Sequence, residues 1–130
     1  MVHDDVLGEL TFDPELDAWS TRLSVSTDYR HGGDIELVIG GEGTPDDRSL
    51  TRAREIVSDY ARFDRVVSTF LAGRAADIPE TGSVIAGLRV ESINLWRGGD
   101  GMIYFECRDG EPAWRCEYIS GELLDLGCDT

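Results

Sequence analysis

One stretch of this chain repeats its apolar residues every three to four positions, and the stretches on either side repeat them every second position. Leu50, Ala53, Ile56, Val57, Tyr60, Phe63, Val67, Phe70 and Leu71 recur at helical spacing, which defines one broad apolar stripe. Just upstream, Thr44 suits an N-cap and Pro45 the first helical position, where its missing N–H costs nothing. Asp46 and Asp47 then face the positive end of the macrodipole. Gly73 marks the end. The pattern predicts a single helix of about 25 residues, roughly 40 Å long. Being longer than the strands it should cover, it is expected to bend or to project its first turn.

The flanking segments read as half-buried strands. Residues 8–12 put Leu10 and Phe12 on one face. Residues 19–25 put Trp19, Leu23 and Val25 opposite Ser20, Arg22 and Ser24, and residues 35–39 put Ile35, Leu37 and Ile39 together. Asp13 and Pro14 begin a turn, so the first two strands should pair as a hairpin. After a connector at 75–86, residues 87–96, 102–108 and 112–119 read as three further strands. A tight turn at Asp109 and Gly110 sets Ile103, Phe105 and Cys107 beside Cys116, Trp114 and Pro112. Cys107 and Cys116 then share a face at an offset of four residues, too far apart for a disulfide. At the glycine-rich turn near Gly99, an even loop sets Trp96 opposite Ile103. An odd loop sets Leu95 opposite Phe105 and Ile93 opposite Cys107, the better apolar match. The expected fold is α+β: a mainly antiparallel sheet in the order βββ-α-βββ, with one long helix packed across a face.

The chain has 130 residues, 41% of them apolar, which suits a single globular domain over 1–130. A chain of this size buries about two-thirds of the surface its unfolded form exposes, enough to fold without disulfides or metal. Its apolar runs are a few residues long, far short of the roughly 20 that cross a bilayer. Residues 1–5 carry acids where a secretory signal carries Lys or Arg and then an apolar run. The expected location is the cytoplasm.

Charge excludes more. Twenty-six acids face 12 basic residues, all arginine, for a net −14. Residues 1–47 hold 12 acids and two arginines, for −10; residues 48–74 hold three acids and six arginines, for +3; residues 75–130 hold 11 acids and four arginines, for −7. Such a chain repels phosphate backbones, so direct nucleic-acid binding and attachment to anionic membranes are not expected. The same field attracts a basic protein and raises its association rate by about 10 to 10³-fold at low salt. Plain solubility is the other reading of the acidity.

Catalytic constellations are sparse. The two histidines, His3 and His31, lie near the start and in a glycine-containing loop, and three cysteines without paired spacing do not make a zinc site. Cys107 and Cys116 fall on the core face; Cys128 is the candidate for an exposed thiol, beside acids that disfavour a thiolate. Asp13, Glu15 and Asp17 alternate as calcium ligands do, without the central glycine and closing glutamate of an EF-hand. They read as turn acids, and no cofactor is expected. The loop 26–34, with Asp28, Tyr29, Arg30, His31 and Asp34, is long for a hairpin. It is either a solvated tip or a recognition loop on a rigid sheet.

Several segments resemble a family of small acidic bacterial proteins of unknown function: Gly8-Glu9-Leu10-Thr11-Phe12-Asp13 with Leu16-Asp17-Ala18-Trp19, Ala53-Arg54-Glu55-Ile56, Val90-Glu91-Ser92-Ile93-Asn94-Leu95, Asp100-Gly101-Met102-Ile103-Tyr104-Phe105 and Trp114-Arg115-Cys116-Glu117-Tyr118-Ile119. The resemblance implies a single domain and, by analogy with other small acidic families, an immunity protein that neutralises a toxin; no catalytic residues come with it. The expectation is a non-enzymatic acidic binding protein of the immunity type, docking onto a basic toxin or effector. The candidate contacts are Asp28, Tyr29, Arg30 and Asp34 with Asp13, Glu15 and Asp17. The alternatives are a small carboxylate- or metal-dependent hydrolase, or a structural or oligomeric module.

Overall fold

Among the described residues, eight strands form one open sheet whose spatial order repeats the order of the chain. They are β1 (Val2–Asp4), β2 (Gly8–Asp13), β3 (Ala18–Val25), β4 (Gly33–Ile39), β5 (Val90–Arg97), β6 (Asp100–Phe105), β7 (Trp114–Ile119) and β8 (Glu122–Cys128). The computed structural model describes residues 1–106 and 113–128. Between β4 and β5 come α1 (Asp47–Ser58), α2 (Tyr60–Asp77), a single 3₁₀ turn (Pro79–Thr81) and α3 (Gly82–Ala86). The expected order βββ-α-βββ with one long helix is therefore wrong: four strands stand on each side of three helices.

The helix breaks at Asp59, whose backbone leaves the helical region (φ −134°, ψ 64°). Asp59 ends α1 through its N–H, which donates to the Glu55 carbonyl, and begins α2 through its carboxylate, which accepts the Arg62 N–H at 3.4 Å. A side chain that offers the backbone a competing partner favours a cap over a helix interior. The apolar stripe runs through the break because Ile56, Tyr60 and Phe63, all buried, keep the three-to-four spacing across it. Periodicity alone therefore could not reveal it. The N-cap is Asp46, whose carboxylate accepts the Ser49 N–H at 3.0 Å, and not Thr44. Nor does Gly73 end the helix, since α2 continues to Asp77. Gly73 is solvent-exposed, and a Cβ there would meet nothing within 4 Å. Gly73→Ala is expected to raise stability by about 0.5–1 kcal/mol, read as a higher urea midpoint with an unchanged slope.

Most neighbouring strands are antiparallel, but β4 and β5 run parallel, with Leu37 beside Ile93 and Ile39 beside Leu95. A parallel pair needs a crossover long enough to return the chain to the same end of the sheet, and the helical segment supplies it. On the helix-covered face one row crosses the sheet as Thr21, Leu37, Ile93, Ile103 and Cys116. Its last four members are essentially inaccessible. Ile103 stands opposite Cys116, the register expected for that hairpin; Cys107, Asp109, Gly110 and Pro112 lie outside the described residues.

The preceding turn follows neither pairing considered from sequence. Ile93 faces Ile103, Leu95 faces Gly101 and Arg97 faces Asp100, with a bulge between Leu95 and Arg97. Gly98 (φ 66°) and Gly99 (φ 84°) form a two-residue turn, the conformation that glycine adopts without steric cost and that hairpin twist favours. The bulge, rather than an odd loop, keeps Ile93, Leu95 and Ile103 on one face.

Alternation does not announce β1 and β8. β1 has three residues, and β8 carries a bulge opposite Arg115 to Glu117, with Asp125 at φ 53°. β1 is tied to α1 by Asp4, which is 6% exposed. Arg54 donates from Nε and Nη2 to Asp4 Oδ2 at 2.9 and 2.6 Å, and Val6 and Leu7 N–H donate to Oδ1. Burial works to raise this carboxyl, and the Arg54 guanidinium with the two amides outweighs it, holding Asp4 below the usual carboxylate range. Among the described residues no helix is long and apolar enough to cross a membrane.

Candidate functional site

Two groups of candidate residues sit at opposite ends of β3. Asp13 ends β2, and Glu15 and Asp17 belong to the turn that follows; Asp28, Tyr29 and Arg30 belong to the β3–β4 loop, with Asp34 just inside β4. Eight residues of strand, roughly 26 Å, separate them, so they do not form one site. In the turn, Asp13 Oδ1 accepts the Glu15 N–H at 2.9 Å, and Asp17 adopts the left-handed region (φ 52°). Both are common devices of short acidic turns. Glu15 and Asp17 are exposed.

The loop is exposed at Ser26 to Asp28 and at Arg30 and anchored at its base. His31 at its base is completely buried, and its imidazole Nδ1 accepts the Val90 N–H at 3.1 Å. The His31 N–H donates to Asp64 Oδ1 at 2.8 Å, and its carbonyl accepts the Tyr60 hydroxyl at 2.5 Å. Arg89 donates from Nε to the Arg30 carbonyl and from Nη2 to the Gly32 carbonyl. Tyr29 lays its ring on Tyr60, centroids 5.6 Å apart. Asp28 and the Arg30 side chain are left in solvent, and Asp34 accepts the Ser24 hydroxyl at 3.5 Å. The loop thus presents exposed polar side chains from a backbone held by α2 and by the entry to β5, the arrangement suited to recognition at low ordering cost.

The buried histidine titrates abnormally. Burial pushes it down from 6.5 to about 4; Asp64 opposes that shift, and Arg30 and Arg89 reinforce it. Its role was missed from sequence, because a histidine in a glycine-containing polar stretch carries no local sign of burial. The only signal available was its composition: a loop with Tyr and His needs somewhere to put the rings.

The charge distribution becomes spatial for a simple reason. Because strand order copies chain order, residues 1–39, whose nine acids and two arginines give −7, build one lateral half of the sheet, β1 to β4. The segment 48–74, at +3, forms α1 and most of α2 on one face. The segment 75–130, which supplies β5 to β8, carries −7 as well, so the acids lie on both sides of the basic helical segment.

A second feature, a groove between α2 and the β7–β8 hairpin, went unread in the sequence. It has two adjoining parts of about 330 and 610 Å³ that share Val66, Gly121 and Glu122. Phe63, Phe70 and Leu123 contribute apolar surface, and Arg52, Arg62 and Arg65 alternate around it with Glu55, Asp59 and Glu122. Arg52 pairs with Glu55 at 3.2 Å, an exposed contact contributing at most about 1 kcal/mol. The charges balance, so the groove lacks the electrostatic preference that marks the half-sheet β1 to β4.

Burial pushes the Cys116 thiol up to about 12, which leaves it a small apolar residue at neutral pH. Cys128, expected to be exposed, is half-buried and packs against the core. Among the described residues no group of three or more His, Cys, Asp or Glu could hold a metal ion. Comparison with protein-family models, with curated proteins and with solved structures finds no match to the chain.

Proposed function

We propose that this protein is a non-enzymatic acidic binding protein of the immunity type, acting in the cytoplasm by docking onto a basic toxin or effector. The observation that carries the reading is the acidity of the chain, −14 in all, of which residues 1–39 bring −7 to the half-sheet β1 to β4. A toxin that acts on nucleic acid needs a cationic surface to hold phosphate. An anionic surface of matching extent competes for it, steers the encounter and disfavours acidic partners. The held loop 26–32 and the β2–β3 turn sit at opposite ends of β3, and on this reading Asp28, Tyr29, Arg30 and Asp34 meet one broad partner together with Asp13, Glu15 and Asp17.

The test has two steps. Tagged protein captures partners from its native host, and the affinity of a purified partner is then followed at rising salt. A basic partner is expected, with association that slows as salt screens the field. Replacing Asp13, Glu15, Asp17, Asp28 and Asp34 together with Asn or Gln should slow association roughly tenfold or more at low salt. Replacing Arg62 and Arg65 on α2 should leave it within about twofold at physiological salt, because charges more than a Debye length from the contact are screened. An acidic partner, or a rate indifferent to both salt and the acid substitutions, would sink the reading.

A further inference from the structure

We propose that His31 is a proton-operated latch: neutral, it locks the loop 26–32 onto α2 and β5, and protonated, it lets that loop go. The geometry leaves the ring one stable state. The side chain has no solvent access, Nδ1 is committed as acceptor to the Val90 N–H, and Nε2 has no partner among the described residues. A neutral ring fits with its proton on Nε2; a second proton must go on Nδ1, where it meets the Val90 N–H donor head-on. Protonation therefore removes the bond between the loop and the start of β5 and leaves a buried cation that only opening can hydrate.

The surrounding charges do not rescue that cation. From α2, Asp64 faces the residue and favours protonation, but its Oδ1 is already taken by the His31 N–H, and Tyr60 offers a hydroxyl committed to the His31 carbonyl. From the loop itself Arg30, and from the entry to β5 Arg89, oppose it. Arg89 also holds the Arg30 and Gly32 carbonyls, so the released segment is the one that carries Asp28, Tyr29 and Arg30. The regulatory consequence, that acidification loosens the docking loop, rests on the function proposed above; the latch itself does not.

The sign follows from linkage. Latched His31 titrates near 4 and the released residue near its ordinary 6.5. Above pH 6.5 both states are neutral and the latch is at full strength; as pH falls from there toward 4, opening becomes about tenfold more favourable per unit, about 300-fold in all. Hydrogen exchange on the intact protein, corrected for intrinsic rates, reads this directly. Protection of the His31, Gly32 and Val90 amides is expected to fall by about tenfold per pH unit below 6.5, while the Ile103 and Cys116 amides in β6 and β7 keep theirs. His31→Asn, which retains an acceptor where Nδ1 stands, should make loop protection independent of pH. If that variant does not fold, the imidazole resonances of the unaltered protein decide: titration near 4 supports the latch. Titration at the ordinary value with the loop still protected overturns it, as does protection indifferent to pH or lost equally from β6 and β7. Failure here leaves salt-dependent docking at neutral pH untouched, and failure of docking leaves the exchange result standing.

Discussion

Gly101→Ala should abolish cooperative folding or lower stability by about 4 kcal/mol or more, the range reserved for a few severe mechanisms. Gly101 lies in β6 between Leu95 and Tyr118. A Cβ there would stand 1.7 Å from the Asn94 carbonyl oxygen and 2.9 Å from the Leu95 Cα. Both are backbone atoms of the adjoining strand, so no side chain can swing aside to relieve the clash. The bulge after Leu95 accompanies this close approach, and only a residue without Cβ tolerates it. Against a typical domain stability of about 5–15 kcal/mol, the change is large enough to be seen as failed expression or a lost urea transition. A variant that unfolds within about 1 kcal/mol of the parent would show that β5 and β6 are not packed as described.

Phe63→Ala is the second change expected to have a large effect, at about 3–5 kcal/mol. The ring is 5% exposed and lies between Tyr60, at a centroid distance of 5.4 Å, and Tyr118, at 6.1 Å. Tyr60 in turn carries Tyr29, so one chain of aromatic contacts runs from the β3–β4 loop through α2 to β7. Truncation removes buried area and leaves a cavity that neighbouring strands cannot fill. Phe70→Ala, one face of which is open to the groove, should cost less than half as much. Paired urea titrations check the ratio; equal costs would mean that α2 does not seat Phe63 deeper than Phe70.

How far such features can be read before folding is considered depends on how far apart the interacting residues lie. Trp19, Leu23, Ile35, Leu37 and Ile39 are buried as their alternation implies, because neighbouring side chains on a strand point to opposite faces whatever the strand pairs with. Phe12 shows the limit. It shares its parity with Leu10, yet it is 37% exposed and covers Trp19 edge-on at 5.3 Å, whereas Leu10 is sealed. Pattern assigns a face; depth depends on what lies above it. The acids of the candidate surface were legible as residues but not as places. Nothing in their spacing says that Asp13 and Asp28 end up about a strand length apart, or that Asp46 and Asp59 cap helices instead of meeting a partner.

By itself, the order of amino acids determined which side of most strands is apolar, where helical spacing begins to replace alternation, and how charge is distributed along the chain. These are properties of neighbours within a few positions, set by steric alternation and by simple counting. Tertiary structure decided the rest: the division of the helical segment at Asp59, the parallel run of β4 beside β5, the bulge that brings Gly101 against Asn94, and the burial of His31. That last residue depends on partners 29, 33 and 59 positions away, Tyr60, Asp64 and Val90. Contacts at such separations are chosen by which arrangement buries the most apolar surface while leaving every backbone group a partner, a condition on the whole chain at once.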